Sequence, residues 1–471
     1  MKDNTVDSED FRDVISTVDQ RGKRVWVNPK MSKGRFTNYR NIVYSLLLLL
    51  LFSGPFIRIN GHPFMLFNLP ERKFIIAGVF FGSQDTFLFA LFMLAGIISI
   101  ALFTVIFGRL FCGWVCPQTV FMEHVFRRIE YWIEGDYTRQ KALKNAPWNS
   151  EKIFKKTLKN MVFIAMAFLI ANTFLAYVVG TEVLYTYITH GPGKNAGLFI
   201  ALCIFTLVFY FVFAWMREQV CIIICPYGRM QSVLLDRKSI VVAYDFKRGE
   251  KRGNPKKNKE NPDLGDCIDC HQCVNVCPTG IDIRNGTQLE CIGCTACIDA
   301  CDGIMDKINK PRGLVRYASV ENIEQKKKFK FDLRMIAYSS MLAIITTVIS
   351  VLLITREPIK INVLRVSGTT FQTQPDGKIS NLYQVKFSSR IFHDFTPELR
   401  LIQPKGKLEI IGSAPVVKGG EVTQLTMLIL LDQKQIHGLK EPIKIGVYND
   451  GEKLTEVKTS FFGPVDKNIT N

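Results

Sequence analysis

The chain has 471 residues, 48% of them hydrophobic and 35 of them phenylalanine, with a formal net charge of +18. Its mean hydropathy of +0.12 is foreign to an ordinary soluble protein of this size, so membrane spans are expected first. The basic residues gather beside the apolar runs, which argues against nucleic acid and for the lipid bilayer as partner, with Lys and Arg enriched on cytoplasmic loops.

Residues 1–40 form a polar, basic tail without the short apolar core of a cleavable signal peptide. Apolar stretches of roughly twenty residues, long enough to cross a hydrocarbon core as helices, follow at 41–58, 86–108, 158–179, 197–216 and 333–354. Gly54 and Pro55 interrupt the end of the first, and a patch at 74–81 is too short to span and is placed at the interface. Segments 117–134 and 226–236 read as amphipathic helices on the membrane surface. Basic residues crowd the tail (Arg21, Lys23, Arg24, Lys30) and the link between the second and third spans (Arg127, Arg128, Lys155, Lys156). The loop 180–196 carries only Lys194. The positive-inside rule then places the N-terminus and 217–332 in the cytoplasm and everything after about Arg356 in the periplasm.

That last region alternates apolar and polar residues from Ile359 to Val366, as a half-buried strand should. Similar runs at 381–388, 398–403, 407–412, 421–430, 441–448 and 453–462, separated by turn residues, predict an immunoglobulin-like sandwich. The expected organisation is therefore a tail (1–40), a four-span membrane domain (41–236), a cytoplasmic ferredoxin-like domain (237–325), a fifth span (326–356) and an all-β domain (357–471).

The ferredoxin assignment rests on the thirteen cysteines, eight of which fall between Cys267 and Cys301. Cys267, Cys270, Cys273 and Cys277, the last followed by Pro278, repeat in spacing as Cys291, Cys294, Cys297 and Cys301. Three thiolates on one tight loop, with the fourth crossing to the other cluster, is the pattern of two-cluster ferredoxins. It assigns Cys267, Cys270, Cys273 and Cys301 to one [4Fe–4S] cluster and Cys291, Cys294, Cys297 and Cys277 to another. A pair of zinc ribbons would need neither the third step nor the fourth ligand. Asp302 stands where a proline usually follows the last cysteine, which puts the local loop geometry in question. Cys267 to His271 also spells a haem c attachment pattern, but the cubane needs the same cysteines and His271 reads as a solvated loop residue.

A second repeat joins Cys112, Cys116 and Pro117 with Cys221, Cys225 and Pro226, a CxxxCP unit closing each pair of spans. The proline suits the first position of a helix, so Cys116 and Cys225 are expected at helix starts, where a thiolate is favoured. The four sulfurs are expected to converge near the ferredoxin domain as accessible, nucleophilic thiolates. They would bind a metal ion, cycle as dithiols, hold a further cluster, or simply pack. Cys203, alone in mid-span, reads as a packed residue, and His124, Met122 and Met230 as packing or interface residues.

With Phe111-Cys-Gly-Trp-Val-Cys-Pro-Gln-Thr119, Cys225-Pro-Tyr-Gly-Arg-Met-Gln231, both ferredoxin runs, Cys297-Ile-Asp-Ala-Cys-Asp302 and Lys310-Pro-Arg-Gly-Leu-Val-Arg-Tyr317, the chain resembles the cytochrome c oxidase accessory family CcoG/FixG/RdxA. In that family the aspartate after the last cysteine is ordinary. The resemblance implies a multi-pass protein of the bacterial inner membrane that reduces Cu(II) to Cu(I) for maturation of cbb3-type oxidase. Copper is then a substrate ion, and oxidase subunits or copper chaperones and transporters are partners. The alternatives are a NapH or polyferredoxin-type subunit passing quinol electrons to a partner, and a non-enzymatic assembly scaffold. No Walker A or Rossmann glycine pattern opens a helix, so the electron donor is a separate, unidentified partner.

Overall fold

The computed structural model describes residues 16–464, apart from 20, 60, 69–72, 77, 83–84, 192, 194–195, 254–263, 326–331, 357–358, 367–369, 391–393, 413–415, 420–421, 437 and 450. Lys194, on which the charge contrast of its loop turns, and Glu421, where a strand is expected to begin, lie outside the described residues. The chain divides into two compact units, Met1–Gly54 with Phe92–Ala176 and Thr181–Thr347, and Pro55–Leu91 with Tyr177–Gly180 and Val348–Asn471.

Among the described residues, five helices are long and apolar enough to cross a membrane. They are α1 (Arg35–Ser53), α2 (Thr86–Phe107), α3 (Ser150–Val179), α4 (Ala196–Phe211, continued by a π-helix over Val212–Met216) and α5 (Leu333–Ile354). Two start earlier than hydropathy suggests. The amides of Phe36 and Thr37 at the head of α1 donate to the Asp299 carboxylate, so a cap from the cluster domain makes a polar stretch helical. The first turns of α3 gain Lys155–Glu151 spaced i,i+4, and Lys156 and Lys159 reach carboxylates on another helix. Residues Thr181–His190, read as loop, form a further helix. Cys203 lies exposed on α4 rather than packed, so in a bilayer it meets lipid.

The 117–134 segment is helical throughout, as Pro117–Val120, a π-helix over Phe121–Phe126, and Arg127–Glu134. Its charged face does not meet water. Arg127, Glu130 and Glu134 are buried, and Glu130 takes two hydrogen bonds from Arg217, at 2.9 and 2.8 Å, and a third from Lys159 at 3.3 Å. Trp132 on the same helix is 82% exposed. The helix is thus turned the opposite way from a surface-lying amphipath, because partners on α3 and after α4 neutralise its charges inside. Burial opposes ionisation of Glu130, yet Arg217, Lys159 and Arg127 outweigh it and hold the carboxyl down at about 2. A depressed carboxyl stabilises the fold fully above its ordinary value of 4.5 and loses that contribution as pH falls toward 2. Glu130→Gln, which strands the Arg217 charge, is expected to cost about 3–5 kcal/mol, read as a fall in thermal midpoint in detergent. An unchanged midpoint would mean that water reaches the network.

In the second unit, strands at Met65–Asn68, Lys73–Ile76 and Val79–Phe81 form an antiparallel meander, so the short apolar patch folds as sheet. All seven strands expected near the C-terminus are present: β1 (Ile359–Arg365), β2 (Lys378–Ser389), β3 (Glu398–Gln403), β4 (Lys407–Ile411), β5 (Val422–Asp432), β6 (Lys440–Asn449) and β7 (Glu452–Phe462). They make two sheets, β4-β5-β2-β1 and β3-β6-β7, with a two-residue strand at Gln372–Thr373 added to β2. Alternate residues of the facing sheets, among them Tyr383, Val385, Phe387, Met427, Ile429, Ile443, Ile445 and Phe461, fill the interior of an immunoglobulin-like sandwich. Asp85, buried before α2, pairs with both Arg356 and Arg390.

Candidate metal centre

The two cysteine runs share a backbone as well as a spacing. In the first, Asp269 (φ 55°) and His271 (φ 52°) are left-handed. In the second, Gly293 (φ 67°) and Thr295 (φ 64°) occupy the same offsets. Non-glycine residues pay strain for this conformation, and its recurrence at matching offsets gives the two loops the same local curl. Helices at Gln272–Asn275 and Ala296–Lys307 begin directly after the second of those residues. Asp302 lies inside the longer helix, where proline would break it, and its carboxylate accepts the amide of Gly313 at 2.9 Å. That settles the loop question its presence raised.

The chain crossover brings the sulfurs into two sets. Cys301 lies within electrostatic reach of Cys273, Cys270 and Cys267, while Cys297 feels chiefly Cys294, Cys291 and Cys277. Burial pushes the thiols of Cys273, Cys291 and Cys301 up to about 12, so without a metal they carry no charge at neutral pH. Among the described residues no three His, Cys, Asp or Glu side chains gather closely enough for a single ion. Eight cysteines in two runs of identical spacing supply the ligand number of two cubanes. Around the first set, Arg284 bonds Asp282 and Asp269, and its guanidinium lies at 2.9 Å hydrogen-bond distance from Nδ1 of His271, an exposed loop residue.

The first CxxxCP unit abuts the second set. A Cβ on Gly113 would come within 2.5 Å of the Gly293 carbonyl oxygen, so only glycine permits this backbone contact. Arg109 donates to the carbonyls of Leu289 and Cys291 and, at 3.1 Å, to that of Gly228 beside the second CxxxCP unit. Trp114 Nε1 bonds the Tyr317 hydroxyl at 3.1 Å, and Tyr44 donates to the Gly113 carbonyl. Cys116 and Cys225 stand at the starts of Pro117–Val120 and Pro226–Leu234 with proline in first position. Cys221 lies in a π-helix over Val220–Ile224 and feels Cys116, Cys112 and Cys225, so all four sulfurs share one neighbourhood.

Burial raises the Cys112 thiol to about 11 despite a 3.3 Å hydrogen bond to Gln231, and raises Cys221 as well. The first cysteine of each pair is therefore held as the thiol, not the nucleophilic thiolate expected from the motif. Met122 is buried, His124 is half-buried with its imidazole lowered to about 4 by burial and by Arg128, and Met230 is exposed. Arg109, Gln231 and the Gly113–Gly293 contact escape sequence reasoning, since each partner lies far off in the chain; Arg284 escapes it although Asp282 is two residues away. Arg40, the last residue of the expected tail, lies inside α1 and likewise finds its partner, the Cys294 carbonyl, far off in the chain.

These features define a membrane protein with an iron–sulfur cluster domain and a C-terminal immunoglobulin-like domain. Residues 216–320 match the family described as 4Fe-4S dicluster domain, 89–138 that described as 4Fe-4S binding domain, and 349–464 the IG-like fold at the C-terminal of FixG. Protein RdxB of Cereibacter sphaeroides is 33% identical over 387 residues, 78% of this chain and 80% of that one. Protein RdxA of the same organism is 32% identical, over 77% and 79% of the two chains. Nitrogen fixation protein FixG of Rhizobium meliloti is 30% identical over 438 residues, 83% and 82% of the two. A crystal structure of a FixG-related protein from Vibrio parahaemolyticus aligns with 23% of this chain and 97% of its own, at 20% identity and a TM-score of 0.19. The chain belongs to the FixG/RdxA family.

Proposed function

We propose that this protein reduces Cu(II) to Cu(I) for the maturation of cbb3-type cytochrome c oxidase, with Cys112, Cys116, Cys221 and Cys225 as the copper contacts. The observation that carries this reading is the Gly113–Gly293 contact, which leaves no side chain between the first CxxxCP unit and the loop of Cys291 and Cys294. In this reading Cys267, Cys270, Cys273 and Cys301 hold one [4Fe–4S] cluster, and Cys291, Cys294, Cys297 and Cys277 the other. Bound clusters supply single electrons at low potential. The cysteine thiols lose their protons as copper binds, and soft sulfur donors favour Cu(I), so product formation is drawn forward. Protein reduced anaerobically and freed of reductant should convert about two Cu(II) per chain, one per cluster, as read with a Cu(I)-specific chelator. Conversion no faster than with iron-free protein would sink the assignment.

The orientation is part of the same proposal: a bacterial inner-membrane protein with its N-terminus and cluster domain in the cytoplasm and its sandwich in the periplasm. A reporter active only outside the cytoplasm should work when fused after Asn471 and stay silent when fused after Gly249. The reverse pattern would overturn the charge-based topology.

A further inference from the structure

A cavity of about 290 Å³ lies between the chain leading into α1, the 117–134 helices and the loop of the second cysteine set, whose Cys294 forms part of its wall. That volume is at the small end of ligand sites. Lys30, Lys33, Arg40 and Arg128 line it, and among the described residues Glu123 is its one carboxylate. Glu123 is already engaged by Arg127 at 2.7 Å. Arg40 is 6% exposed, donates to the Cys294 carbonyl, and keeps a buried Nε without a hydrogen-bond partner. Among the described residues the Lys30 ammonium reaches the Gln272 amide oxygen, at 3.3 Å, and no carboxylate. Among the described residues neither Lys33 nor Arg128 has a carboxylate partner. Burial first, and then the charge of Arg40, push the Arg128 guanidinium pKa down.

We propose that this cavity binds a phosphate-type oxyanion between Arg40, Arg128, Lys33 and Lys30, and that its occupancy makes the adjoining cluster harder to reduce. Two guanidinium forks and two ammonium groups around a space this size match the several oxygens of a phosphate better than the two of a carboxylate. The same cations favour the extra electron of a reduced cluster, and an anion among them cancels that field. The phosphate belongs either to an anionic lipid headgroup, since Arg40 stands where α1 enters the membrane, or to a soluble phosphate compound. Neither source depends on the copper reading.

The test uses the full-length, cluster-loaded protein with two readouts. Equilibrium dialysis with radiolabelled orthophosphate in neutral detergent measures binding directly, and potentiometric EPR follows the cluster midpoints. Saturable binding with a lowered midpoint for one cluster supports a soluble source. A lowered midpoint only in nanodiscs containing phosphatidylglycerol, against phosphatidylcholine alone, supports the headgroup. In either case Lys33→Ala with Arg128→Ala, which leaves the Arg40 contact intact, should weaken binding at least tenfold or erase the lipid effect. No midpoint change in any arm, an unaffected double variant, or the same shift from chloride at equal ionic strength would each overturn the proposal.

Discussion

Changing Cys112, Cys116, Cys221 and Cys225 together to serine is expected to abolish copper binding and reduction while iron stays near eight atoms per chain. Serine is close to cysteine in size, so the half-buried sites keep their shape and lose only the soft donor. The eight cysteines of the cluster domain are untouched, and the Gly113–Gly293 contact is made by backbone alone. Retained copper reduction would reduce the four residues to a packing role. Loss of iron beyond the clusters of the ferredoxin runs would mean that the pairs hold a further cluster, a reading that the 89–138 family match keeps in play.

The second large effect is expected from Cys270→Ser. Cys270 is exposed on the first loop, between the left-handed residues Asp269 and His271, so its replacement disturbs little besides coordination. Iron should fall from about eight to about four per chain, with the EPR signal of one cluster lost and the protein still in the membrane fraction. An unchanged iron content and spectrum would show that the ligand assignment is wrong.

Much of the architecture was legible because its signals are local. The period-two pattern from Ile359 to Arg365 and its successors reports burial of one face, and the sandwich follows from it. The cysteine spacing is equally local, and so were the spans at 86–108 and 333–354, which match α2 and α5 within one residue. What stayed hidden depends on distant partners. Arg35 to Arg40 looked like tail, because Asp299, which caps that stretch as a helix, and the Cys294 carbonyl, which holds the buried Arg40, lie more than 250 residues away. The inward turn of Glu130 needed Arg217, and the motif alone could not reveal that burial holds Cys112 protonated. The fit of Gly113 against Gly293 is invisible until both loops are in place.

The charge network around Glu130 also sets a timetable for synthesis. Lys159 emerges 29 residues after Glu130, but Arg217 follows only after 87. At elongation of about 5–20 residues per second, that second interval lasts roughly 4–17 s. During it the third and fourth spans are made, while a carboxylate destined for burial has Arg127 and, once made, Lys159 to face but not its bidentate partner. The newborn membrane domain must therefore keep this helix in contact with water, or with an insertion factor, until the fourth span delivers the arginine. The order in which the halves of the repeat leave the ribosome thereby fixes when the first half can close.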